Sequence, residues 1–231
     1  MTIDMPVPLP EIRRVRRRIL VAREPGWQFS LMLALDMLFL FVAVPALSSG
    51  EANRSVVALL QFLLAAIAIA LLAKSPWLRL GLGTSFGLTL LAQLLPGLLP
   101  QTTTLAMVFA YNLLVTIAMA RAVFGPGEVN HHRIAGAVFI YLNIALLFAV
   151  AYSGLILIIP DAISGLGTTR PGHASDVIHF SFTTLTTIGD GNVSPHAPFA
   201  RSLADLETIT GQLFPAILLS RLVGLHVSRT R

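Results

Sequence analysis

Predominantly apolar runs of about 20 residues recur along this chain, each long enough to cross a hydrocarbon core of roughly 30 Å as a helix. Six such runs, at 27–49, 55–73, 80–99, 102–120, 134–159 and 199–227, take up more than half of the sequence. Turn residues separate them: Ser49 with Gly50, Ser75 with Pro76, Pro96 with Pro100, and Gly125, Pro126 and Gly127. Charged residues make up only 12% of the chain, against about a quarter in a soluble domain. The reading is therefore an all-α membrane protein with no room for a soluble catalytic or nucleic-acid-binding domain. The net charge of +5 then reports topology rather than a polyanionic partner. Cysteine is absent, which excludes disulfides and thiolate metal sites.

Lys and Arg are retained by cytoplasmic loops, and their placement orients the spans. With the amino terminus inside, only Arg54, Arg170 and Arg201 of the 16 basic residues fall outside. Six spans then put both termini in the cytoplasm. Residues 1–26 read as a basic amino-terminal segment without a removable signal peptide. Its stretch 11–23 has the mixture of arginine and aliphatic residues that suits a helix on an anionic leaflet, although a plain positive-inside anchor is the favoured explanation. A four-helix part (27–124), a cytoplasmic linker (125–133) and a carboxy-terminal unit (134–231) follow.

Between the fifth and sixth runs lies a segment that cannot span. At about 1.5 Å per helical residue, 176–186 reaches only roughly 17 Å, half a membrane, so it is expected to enter and return on one side. Asp176 is expected in its first turn, complementing the helix dipole. The glycine-punctuated stretch Thr187, Ile188, Gly189, Asp190, Gly191 follows. Irregular backbone at that depth is tolerated only where it is buried in protein or lines a watery path. Glycines that accept positive φ can turn successive carbonyls the same way, and copies around an axis would stack oxygen rings that replace an ion's hydration shell. Monovalent cations are expected at Thr187, Ile188 and Gly189.

This run resembles the potassium-channel superfamily, whose pore loop ends in Thr-Val-Gly-Tyr-Gly-Asp. The resemblance covers 134–227, and the run from Phe182 to Pro195 carries it most specifically. Two positions depart from the potassium-selective form: Asp190 stands where Tyr is usual and Asn192 where Asp is usual. In this the filter is similar to that of bacterial sodium- and potassium-conducting channels, which read Thr-Val-Gly-Asp-Gly-Asn and are related to cyclic-nucleotide-gated pores. The resemblance implies an integral protein of a bacterial cytoplasmic membrane and a homotetramer in which three identical subunits and lipid are the partners. No cofactor is expected beyond permeant K+ and Na+. A short, hydrophilic Asp cannot pack as the tyrosine ring would, so the upper filter is expected to widen. Alternatively, the Asp190 carboxylate hydrogen-bonds backbone amides behind the filter and never meets an ion. Phe180, Thr183, Asn192 and Glu207 are the expected filter supports.

On the sixth run, Gly211 lies at the family's hinge position. Pro215 lacks the N–H that would bond the carbonyl of Gly211, so both defects share one turn. Leu219, Leu222 and Val223 are the candidate constriction below it. On this reading Pro215→Ala alters opening more than Gly211→Ala, and selectivity stays intact in both.

Asp36 is an acid within the first span, with Asn112 and Asn143 as candidate partners. His131 and His132 read as loop residues without a third ligand. Within the channel reading a potassium-selective pore is the alternative. A secondary transporter would show interruptions in both halves, and a non-conducting accessory protein would have no use for the filter. The fourth run contains no arginine before Arg121, whereas a voltage sensor repeats one every third residue. One charge crossing the field contributes only about 2.3 kcal/mol per 100 mV. Conductance should therefore vary weakly with voltage, and a steep conductance–voltage curve requiring several charges per subunit would contradict this.

Overall fold

The computed structural model describes residues 27–48, 63–68, 76–94, 99–125, 130–166 and 170–229. The basic segment 1–26, most of the second expected span and part of the linker lie outside the described residues. Helix α1 runs from Trp27 through Leu38, widens into a π turn at Phe39–Ala43 and resumes as Val44–Ser48. The amide of Val44 reaches back to the carbonyl of Phe39. Pro45 follows at once, and its ring crowds the carbonyl four residues earlier, which a wider turn relieves. A helical stretch at 63–68 precedes α2 (Pro76–Leu94), α3 (Gln101–Val123) and α4 (His131–Ile158). A short helix α5 (Arg170–Leu185) and a long α6 (Pro198–Arg229) complete the chain.

Three described helices are long and apolar enough to cross a membrane: Trp27–Ala46, Gln101–Val123 and His131–Ile158. The stretch Leu80–Leu91 is a shorter apolar helix. The sixth expected run forms one helix of 32 residues, about 48 Å long. Asp205, Glu207, Thr208, Thr210 and Gln212 make its first half too polar to count as a plain apolar span.

Two expectations of detail change. The half-helix begins at Arg170, so Asp176 sits in its second turn rather than its first. The two histidines are not in a loop, because Asn130 caps α4 by accepting the Arg133 amide at 3.0 Å and so starts the helix at His131. His132 Nδ1 lies 2.8 Å from the Ser30 hydroxyl and ties α4 to α1.

Two apolar clusters divide the structure. The first joins α1, α2, α3 and α4 through Met32, Leu82, Val115, Met119, Phe139 and Ile140. The second holds α5 between α4 and α6 through Ala149, Tyr152, Val177, Phe180, Val193 and Ala200. A two-residue antiparallel ribbon, β1 (Ile163–Ser164) with β2 (Ser194–Pro195), closes the second cluster. Next to it the backbones approach so closely that a Cβ on Gly165, at φ +84°, would lie 1.8 Å from the Asn192 carbonyl oxygen. The segment leaving the 187–191 loop is thereby clamped to the segment leaving α4.

Candidate functional site

The last turn of a helix leaves carbonyls without intrahelical donors, and α5 satisfies all four of its own. Phe182 O accepts from Thr186 N at 3.0 Å, and Thr184 O accepts from Thr187 N at 3.0 Å. Thr183 O takes two amides, Ile188 at 2.9 Å and Gly189 at 3.1 Å. Leu185 O accepts from the Tyr141 hydroxyl at 3.3 Å. The chain thus folds back over the helix end as a Schellman-type turn, whose left-handed position is normally glycine. Here it is Thr187, with φ +61°. A β-branched residue in that region is strained, and its hydroxyl is held at both sides. It donates to Thr186 O at 2.6 Å and accepts from Gln212 Nε2 on α6 at 3.0 Å. Gly189, at φ +74°, supplies the second left-handed turn without strain.

Asp190 points back from the loop. Its Oδ1 accepts from the Asn192 amide at 3.0 Å, and its Oδ2 lies 3.7 Å from His179 Nε2 on α5. Asn192 therefore enters through its backbone. Phe180 stacks edge-on against Tyr152 with ring centroids 5.1 Å apart, while Phe182 lies 5.9 Å from Phe41. Thr183 is buried, and its hydroxyl donates to Phe180 O at 2.9 Å.

Behind the loop, Glu207 is fully buried and joins three helices. Tyr152 of α4 donates to its Oε2 at 2.8 Å, and Ser181 of α5 contacts its Oε1. Ser181 Oγ also lies 2.7 Å from Ala145 O. A serine hydroxyl carries one hydrogen, so both of its contacts are hydrogen bonds only when the carboxyl group donates to it.

One turn farther along α6, Gly211 is buried against the end of α5, where a Cβ would lie 1.8 Å from Leu185 O. The glycine serves close packing against α5 here, a use that the hinge expectation did not include. Pro215 lies inside α6 and faces outward, as does Leu219. The side chains of Leu222 and Val223 lie outside those described. Tyr141, Tyr152, Ser181, His179 and Gln212 are contacts that sequence reasoning missed. Ser181 and His179 fall inside the short segment 176–186 already singled out, but Tyr141 and Tyr152 carry no local signal.

Residues 140–226 match the family described as Ion channel. Over 81 residues the chain is 37% identical to the inward rectifier potassium channel Kirbac3.1 of Paramagnetospirillum magnetotacticum, covering 35% of this chain and 25% of that protein. The chain therefore matches about a quarter of the length of that curated relative. No solved structure matches significantly. The matched region, α4 to α6, is the pore module of an ion channel rather than an enzyme domain. Its similarity is to the potassium-channel superfamily.

Two measurements probe the packing behind the loop. Glu207→Gln keeps an acceptor for Tyr152 and a donor for Ser181, and should unfold near the parent's temperature in detergent. Glu207→Ala leaves the buried Tyr152 hydroxyl without its acceptor and should cost about 1–3 kcal/mol. Gly211→Ala overpacks α6 against a backbone carbonyl and should destabilise by about 1–3 kcal/mol, whereas Pro215→Ala removes a helix-interior proline and should not destabilise. Equal melting temperatures for the two α6 variants would refute the close-packing role.

Proposed function

We propose that the chain forms a homotetrameric monovalent cation channel in a bacterial cytoplasmic membrane, passing K+ and Na+ through the backbone and Thr187 oxygens of the loop 187–191. The observation that carries this reading is the loop itself, two left-handed residues at the end of a short helix wedged between two long ones. On this reading α5 is re-entrant, and both termini are cytoplasmic. The fold leaves the relevant surfaces uncovered in one chain. Ile188 is 78% exposed, and Leu206, Ile209, Leu213 and Ile217 form an exposed apolar stripe along α6. Spacings of three and four residues place them on one helix face. Four copies around an axis would close a ring from four loops and bring these stripes into the assembly.

The filter should discriminate weakly between the two ions. Asp190 turns toward Asn192 and His179, and Phe180 and Phe182 are engaged elsewhere, so no aromatic ring braces the upper carbonyls. The inner helix would open by bending near Pro215, with Leu219, Leu222 and Val223 forming the constriction. A potassium-selective pore is the second reading, favoured by the printed name of the relative. Reversal potentials with Na+ and K+ on opposite sides of a bilayer holding the purified protein separate the two. A reversal near zero is expected. Reversal at the K+ equilibrium potential without sodium current would support the second reading. The double change Asp190→Tyr with Asn192→Asp should shift reversal toward K+, and an unchanged potential would remove the filter letters as the cause.

A further inference from the structure

Away from the loop, α1, the helical stretch at 63–68, α2, α3 and α4 surround a cavity of about 230 Å³ with a mostly apolar wall. Its polar lining consists of Asp36, Thr89, Tyr111, Asn112 and Asn143. Asp36 is 4% exposed, and its Oδ2 is buried with no hydrogen-bond partner among the described residues. No other described side-chain nitrogen or oxygen is left in that state. An acid at membrane depth is costly unless something answers it. The two asparagines share its cavity but spend hydrogens on their own helices, Asn112 Nδ2 on Val108 O at 2.8 Å and Asn143 Nδ2 on Phe139 O at 3.4 Å.

The remaining groups define what the cavity accepts. Thr89 gives its one hydroxyl hydrogen to Ser85 O at 2.8 Å. The Tyr111 hydroxyl and one further hydrogen on each amide remain beside the amide carbonyls, a threonine lone pair and the carboxylate, and of these groups the carboxylate is the one that calls for a charged donor. A bare metal ion is a poor fit. The cavity is walled by groups such as Phe39, Phe86 and Phe139, and no cluster of three His, Cys, Asp or Glu side chains occurs among the described residues. The volume lies below the roughly 300–1,000 Å³ of drug-sized sites, which limits the occupant to a small molecule. Phe39 belongs to the π turn that follows Asp36, an irregularity found often at functional sites.

We propose that this cavity is a binding site for a small organic cation, an ammonium on a compact apolar body, with the Asp36 carboxylate as the acceptor of its N–H. Ile178 of α5 also lines the cavity, so the occupant would touch the helix that ends at the 187–191 loop. The site stands whatever ion the loop conducts.

The test uses the purified full chain in lipid nanodiscs, with 1-aminoadamantane as probe and empty nanodiscs as the blank for partitioning. Equilibrium dialysis should give saturable binding of one probe per chain. The isosteric change Asp36→Asn should weaken it about tenfold or more, as expected for loss of a charge-assisted hydrogen bond. Val150→Phe fills the cavity from α4 without touching Asp36, and should also abolish saturable binding while circular dichroism reports an intact helical fold. Uncharged adamantane should fail to compete. Equal competition by adamantane, unchanged affinity in Asp36→Asn, or no saturable binding to the parent would each overturn the proposal.

Discussion

The packing of the carboxy-terminal unit depends on a missing side chain. At Gly211 helix α6 comes so near the carbonyl that ends α5 that even a methyl group has no place. That approach lets the neighbouring Gln212 reach the Thr187 hydroxyl and, one turn away, buries Glu207 between Tyr152 and Ser181. The three contacts lie within six residues of one helix, and they address the end of α5, the first loop residue and the middle of α5. A strained Thr187 persists because its surroundings hold it on both sides, which is how irregular backbone survives where a ligand must be met.

Much of this was legible in the sequence. Apolar run length located the described helices to within a few residues, since a bilayer-scale period is a strong signal. The loop was readable because its glycines and its half-length helix are local features. What stayed hidden involved distance in sequence. Tyr152 and Tyr141 sit on an apolar helix with nothing nearby to mark their hydroxyls, and their partners lie 55 and 44 residues away. Gly211 was visible as a break in helix propensity, yet only tertiary packing reveals that its use is proximity. The π turn escaped notice because Pro45 stands near the end of α1, where a proline reads as a terminator.

Asp36 shows the opposite balance. Its residue type and position marked it from the sequence, together with Asn112 and Asn143. The structure brings the three to one cavity, but both asparagines bond their own helices. A pairing inferred from polarity alone thus becomes a shared wall.

At the far end of α6, Arg221 donates to the Phe124 carbonyl at 2.7 Å and lies over that ring at 5.0 Å, while Phe124 and Phe214 meet edge to face. Phe124 is the residue that ends α3, and a cation there also answers that helix's dipole. The lower half of α6 is consequently tethered to the amino-terminal helices rather than hanging free. Any swing about Pro215 must first release or drag the end of α3. Helices with no repeated charge of their own thus serve as an anchor that stiffens this part of α6.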